Sequence, residues 1–190
     1  LADKIQQRNI IDFTGKMNLL AYATGDYLEH IGAPLNVTRL AASPAVTTLE
    51  FSLSEAQQVN IIIPSGTRIT AGNNIYFATS EALTIEAGNL TGQVKATCTS
   101  SGTIGNGYLA GQLRRIVDVF PYEMSCVNIT QSAGGTETES DENLRERIQL
   151  APESFTTAGS FGAYKYFARS ANSDIGDAAV RSEERRVGKE

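Results

Sequence analysis

Hydrophobic periodicity changes twice along the chain, and that change constrains the fold more than any single motif. From Val46 apolar residues recur at every second position: Leu49, Phe51 and Leu53 alternate with Thr48, Glu50 and Ser52. This is the pattern of a strand with one buried face. Val59, Ile61 and Ile63 repeat it before Pro64-Ser65-Gly66, a turn that suits Pro at its first corner and Gly after it. Ile75 and Phe77, Leu83 and Ile85, then Val94, Ala96 and Cys98 follow at short intervals. Gly72-Asn73, Gly88-Asn89 and Gly102 punctuate them, and a last β-like stretch covers Ser125 to Ile129. Short strands at this spacing predict an antiparallel sandwich or barrel.

Helical spacing flanks the β region on both sides. Ile10, Ile11, Phe13, Met17, Leu20 and Tyr22 form an apolar stripe in a first helix that Gly25 should stop. Asp26 opens a second, short helix with Glu29 in capping-box position and Leu28 and Ile31 inward, ended by Gly32 and Pro34. After Gly134-Gly135 the helical period returns. Ser140 caps a helix with Asp141 and Glu142 in its first turn and Leu144, Ile148 and Ala151 on its buried side. Asp141 and Arg145 are expected to pair on its surface, and Pro152 to end it. A further helix from about Ser160 sets Phe161, Tyr164, Phe167 (or Ala168) and Ala171 on one side, and Ile175 to Val180 reads as a strand. The expected fold is α+β. A helical segment over 1–42 leads into an antiparallel β domain over 43–132, then helices and the first strand of an incomplete α/β domain over 133–180.

The balance of residues narrows the function classes. The 190 residues carry a net charge of −5, with 41% hydrophobic and only 19% charged side chains, which excludes disorder over the whole length. Mild acidity leaves no basic footprint for nucleic acid and no attraction to an anionic membrane. The longest apolar runs, such as Val59 to Ile63 interrupted by Asn60, are far too short to span a bilayer. Cys98 and Cys126 lack CxxC spacing and read as two separate reduced thiols.

Chemistry-bearing residues are sparse. His30, the single histidine, ends a short helix, where the dipole favours it without any catalytic role. One histidine excludes a three-histidine zinc site. Gly102-Thr103-Ile104-Gly105-Asn106-Gly107 lacks the order and the lysine of a phosphate loop, and its Gly105-Asn106-Gly107 reads as a loop that needs positive φ. Glu137, Glu139, Asp141 and Glu142 lack calcium-loop spacing and read as an acidic helix start. No residue is assigned a catalytic, cofactor-binding or metal-binding role, and no small-molecule substrate is implied. Tyr76, Tyr108 and Tyr122 are candidate loop aromatics for a glycan, or side chains packed at sheet edges.

Four stretches, taken in order, resemble the baseplate J-like family of contractile-tailed phages and prophages. They are LLAYATGDYLEHIGAPLNVTRL (19–40), IPSGTRIT (63–70) followed by FATSEAL (77–83), GNGYLAGQL (105–113) and GGTETESDENLRERIQLAPESFTTAGSFGAYKYFARSA (134–171). The resemblance implies a non-enzymatic wedge subunit of the tail baseplate, assembled in the bacterial cytoplasm and retained in the virion. Its implied partners are other wedge and hub proteins and neighbouring copies of itself. Within the motifs, Gly66, Gly105, Gly107 and Gly135 are expected to shape turns, while Ser140, Asp141, Leu144 and Arg145 build a helix start. A host-surface glycan-binding β module is the alternative, and a cell-wall hydrolase a third reading. The family usually continues past the equivalent of Val180. Here the chain changes abruptly into RSEERRVGKE, so residues 181–190 read as a non-native tail on a truncated gene.

Overall fold

A computed structural model describes residues 2–155 and 160–181. The expected tail at 181–190 therefore lies outside the described residues except for Arg181. The chain divides into two compact units: Ala42–Glu137, and Leu1–Ala41 together with Thr138–Glu190.

The first unit is built on β1 (Pro44–Leu53), whose burial alternates along its length. Ala45, Thr47, Leu49, Phe51 and Leu53 point inward, as the period of two requires. Ten residues give β1 two full edges, and it pairs antiparallel with β6 (Thr91–Ser101) on one side and β8 (Met124–Asn128) on the other. β4 (Tyr76–Thr79) extends the sheet from β6, followed by β3 (Arg68–Thr70) and β7 (Arg115–Ile116). The order is β7-β3-β4-β6-β1-β8, and the two edge strands approach one another, so the antiparallel sheet nearly closes into a barrel. β2 (Ile61–Ile63) and β5 (Leu83–Ile85) form a separate two-stranded sheet. It packs on β6 at Gly92, where a Cβ would stand 3.0 Å from Ile85 Cγ1 and 3.1 Å from Leu83 Cδ2. The enclosed core joins Leu49, Phe51, Phe77, Ile69, Ile63 and Leu113.

Two strands were not legible in the sequence. β3 and β7 carry one apolar residue each, Ile69 and Ile116, so no alternation shows and only their partners define them. Val59 corrects the expected run in the opposite sense: it lies before β2 and is 60% exposed. The Pro64-Ser65-Gly66 turn forms as expected, with Gly66 at φ 83° and its N–H donating to Thr79 O at 2.8 Å.

The second unit contains α1 (Ala2–Met17), α2 (Asp26–Gly32), α3 (Asp141–Leu150) and α4 (Phe161–Ala171). Its core is Ala23, Leu28, Val37, Leu144, Ile148 and Ala151, with Leu20, Ile31 and Tyr166 packed against it. Leu144, Ile148 and Ala151 are the buried side expected for α3, and Ser140 caps it by accepting a bond from Asn143 N–H at 3.2 Å.

Several local expectations are corrected here. The first helix ends at Met17 rather than near Gly25, and bonds from Leu19 N–H to Lys16 O and Ala23 N–H to Leu19 O turn the chain instead. Only Met17 of α1 is buried, while Ile10, Ile11 and Phe13 are more than half exposed. Gly25, not Asp26, occupies the cap position of α2 and has no side chain to cap with, while Glu29 bonds Arg39 instead of closing a capping box. The left-handed residue that follows is Asn36 at φ 60°; Gly32 is helical, and the position needs glycine because a Cβ there would lie 2.7 Å from Val37 O. Residues 175–180 join no ladder among the described residues, since alternation alone supplies no partner edge. As expected, Phe161, Tyr164 and Phe167 share one side of α4, and that side faces outward.

Candidate functional site

The polar side chains with the richest bonding are those that fasten loops. Asn128, on the inward register of β8 two residues after Cys126, is 1% exposed. Its Oδ1 accepts from Leu113 N–H at 2.9 Å, and its Nδ2 donates to Leu109 O and Thr130 O, each at 2.9 Å. Its backbone carbonyl accepts from Gly111 N–H at 2.8 Å. One side chain thus holds the 109–113 segment, which leads into β7, against β8. A polar residue in a core-facing position was the sequence signal for it.

The 102–107 loop is tied in the same way. Gly107 has φ 87°, the positive value expected in Gly105-Asn106-Gly107, and Gly102 has φ 97°, whereas Gly105 is not among the positive-φ glycines. Gly105 is needed for a different reason: a Cβ would stand 2.8 Å from Cys98 Sγ and 3.0 Å from Ala45 Cβ. At Gly135 the approach is closer still, 2.4 Å from Gly102 O. Asn106 brackets Gly135, donating to its carbonyl at 2.7 Å and accepting from its N–H at 2.9 Å. Ser132, also buried, donates to Gly105 O and accepts from Tyr108 N–H. Thr103 turns its N–H and hydroxyl toward Glu137 Oε1, each at 2.8 Å. Those bonds hold the Glu137 carboxyl below its usual range, the backbone N–H first. The loop's donors therefore meet a carboxylate of this chain where a phosphate loop would meet phosphate.

The acidic run is divided rather than gathered. Glu139 accepts from Leu40 N–H at 3.0 Å and from Arg147 at 2.6 Å, with side chains only 1% and 6% exposed. Arg147 also donates to Thr38 O. Arg39 bonds Glu29 at 2.9 Å, Glu139 O at 2.7 Å and Asp141 at 2.6 Å. Asp141 accepts from Gly25 N–H at 3.0 Å as well. The expected surface pair of Asp141 with Arg145 does not form a bond; Arg145 donates to the carbonyls of Leu20 and Ala23. These residues clasp segment 25–41 to the start of α3. Among the described residues no group of three or more His, Cys, Asp and Glu is placed to hold a metal ion.

Gly25 N–H, and after it Arg39, hold the Asp141 carboxyl below its ordinary 3.8. A carboxylate depressed on folding contributes stability above its unfolded pKa and loses it as pH falls through the folded value. Urea midpoints are thus expected to fall as pH drops below about 4, an ordinary carboxylate value. Asp141→Asn should start from a lower midpoint at neutral pH and show a shallower acid fall. Parallel curves for the two proteins would show that Asp141 contributes nothing to the acid response.

The remaining candidates are dispersed. His30 is exposed at the end of α2. Cys98 and Cys126 are both buried and free, and burial pushes the Cys126 thiol up to about 12. On β1, Cys126 lies opposite Phe51, whereas Cys98 is level with Ala45, a separation of roughly 20 Å along the strand. Tyr108 packs edge-on against Phe77 with centroids 5.7 Å apart and accepts from Asn73 at 2.7 Å. Tyr76 lies toward the Pro44 end of the sheet, and Tyr122 beyond Met124 at the Leu53 end. The three tyrosines do not form one platform.

The β unit is thus a nearly closed antiparallel barrel whose loops are fastened by Asn106, Asn128 and Ser132. Residues 48–135 match the family model of the Baseplate J-like protein barrel domain, a span that covers nearly all of the β unit. The match bears out the resemblance to the baseplate J-like family, whose members are structural, and supports a phage tail baseplate component. No curated protein matches the chain. No described helix is long and apolar enough to cross a membrane.

Proposed function

We propose that this chain is a wedge subunit of a contractile-tail baseplate, acting in baseplate assembly through protein–protein contacts and performing no catalysis. The barrel match over 48–135 carries the reading. Large apolar side chains left in solvent on α1, Ile10, Ile11 and Phe13 among them, support it. Exposed apolar surface of this kind marks sites where other proteins bind. Its partners on this reading are other wedge and hub proteins and further copies of the chain, with assembly in the bacterial cytoplasm before incorporation into the virion.

Co-expression of the tagged chain with wedge and hub proteins of a contractile tail tests the proposal. Recovery of a stoichiometric complex with at least one tail protein is expected. Recovery of the chain alone, under conditions where those tail proteins are soluble, would overturn it.

A further inference from the structure

The acidic β unit gathers its positive charge in one place. Its basic side chains are Arg68, Lys95, Arg114 and Arg115, and three of them lie on β3, on β7 or just before it. Arg68 pairs with Asp118 at 2.9 Å, and Arg114 Nε donates to Gly111 O. The Arg115 guanidinium has no hydrogen bond or ion pair among the described residues. Strand register decides what surrounds it. Ile116, Ile69 and Phe77 lie level on β7, β3 and β4 and face the core. The next row, Arg115, Thr70 and Tyr76, therefore faces outward, with neighbouring Cβ atoms roughly 5 Å apart. Thr70 is short and only 5% exposed, because the 71–74 turn folds onto it. Its hydroxyl donates to Asn73 O at 2.7 Å and accepts from Gly72 N–H at 3.1 Å. A short residue between two long ones leaves a cavity of about 290 Å³, to which Asn74 and Val117 also contribute. No carboxylate lines it among the described residues. The side chains of Asn74 and Tyr76, like that of Arg115, are bonded to nothing else described. Elsewhere in the barrel Asn106, Asn128 and Ser132 are spent on backbone groups.

We infer that this groove binds an acidic sugar residue of the hexuronate class, held by its carboxylate on Arg115. A guanidinium with open donors takes a carboxylate through two parallel N–H bonds. One cation matches one negative charge. A phosphate dianion would call for a second, and Arg68 is already taken by Asp118. The net acidity of the surrounding unit turns polyanions away. The rest of the groove suits a sugar ring: the Asn74 amide and the Tyr76 hydroxyl offer partners for ring hydroxyls, while the Tyr76 ring and Val117 offer an apolar side for its C–H face. The volume lies at the small end of ligand cavities, about 300–1,000 Å³, which fits one ring and not a folded segment. An aspartate or glutamate side chain of a protein would meet Arg115 and leave Asn74 and Tyr76 without partners. Of the three tyrosines considered as sugar contacts, Tyr76 is the one that lines this groove. The inference goes beyond the assembly reading and does not rest on it.

Titration of the isotope-labelled full chain with glucuronate, followed by two-dimensional NMR, tests it. Saturable shifts are expected at 70–76 and 115–117, with Kd on the order of 1 mM for so small a site. Glucose keeps the ring without the charge, and acetate keeps the charge without the ring. Each should bind at least about ten-fold more weakly. Arg115→Gln, which removes the cation, and Asn74→Asp, which sets a like charge beside the ligand, should each weaken glucuronate at least about ten-fold. Both residues are exposed, so peaks away from the groove should keep their wild-type positions and report an intact fold. Absence of a saturable shift at about 20 mM glucuronate would overturn the site. So would unchanged binding in both variants, which would put the ligand elsewhere. Glucose binding as tightly as glucuronate would remove the role of Arg115, and acetate doing so would mark an adventitious ion only. Tighter binding of a triglutamate peptide would also overturn it, in favour of an acidic protein segment.

Discussion

Asn128→Leu is expected to destabilise the β unit by about 3–5 kcal/mol, because a side chain of similar size removes three hydrogen bonds and restores none. The substitution strands Leu113 N–H and removes one of two donors from each of Leu109 O and Thr130 O, which keep Gln112 N–H and the Thr47 hydroxyl. The unmet buried N–H costs roughly 1–3 kcal/mol and each of the other two hydrogen bonds about 1 kcal/mol, and the three are neighbours, so the sum is not strictly additive. The larger consequence is topological. The 109–113 segment is the lead-in to β7, and β7 is held by a two-residue pairing with β3. Without the clamp, the near-closure of the barrel depends on that short ladder. Urea unfolding followed by tyrosine fluorescence measures the loss, as a lower midpoint. Hydrogen exchange should localise it to 109–116. A midpoint shift worth less than about 1 kcal/mol would mean that water replaces the amide, and that Asn128 does not hold the barrel closed.

The second large effect is expected at the buried ion pair. Arg147→Met should cost about 3–5 kcal/mol, since it leaves the Glu139 carboxylate inside the helical unit without its cation. Leu40 N–H would be the side chain's remaining hydrogen-bond donor there. Glu139→Gln keeps an acceptor for Leu40 while removing the charge. The double variant, Arg147→Met with Glu139→Gln, should therefore recover about 2 kcal/mol or more relative to the sum of the single changes. Four urea curves close this double-mutant cycle. Strict additivity would show that the two side chains do not act as a pair. Arg147 Nε has no partner even in the wild-type chain, which limits what the pair contributes and makes recovery in the double variant easier.

Both residues show where sequence reading stopped. Asn128 occupies a core-facing register on β8, and Arg147 lies among the buried positions of α3, three residues after Leu144. Each is a polar residue in an apolar pattern, a signal that marks the position as unusual. The pattern does not say which carbonyl or carboxylate lies opposite. Those partners are up to 109 residues away in sequence, as with Thr38 and Arg147. Arg39 is the extreme case, since nothing in its neighbourhood announces that it will join Glu29, Glu139 and Asp141. Conversely, the turn at Gly66, the cap at Ser140 and the positive φ at Gly107 were legible. Their causes act within a few residues.

The two changes of hydrophobic period with which the reading began mark the division of labour. By itself the sequence determined where helix gives way to strand and back, because side-chain spacing of 3.6 or 2 is a local property of the backbone. It also determined which face of β1 and α3 is apolar. Only the tertiary structure decided which apolar faces are used. Leu144 and Ile148 are buried while Phe13, Tyr164 and Phe167, on equally periodic stripes, remain in solvent. Periodicity states that a face is suited to burial; whether it is buried depends on finding a complementary surface. The chain supplies that surface for the barrel and α3, and leaves the faces of α1 and α4 for others to cover.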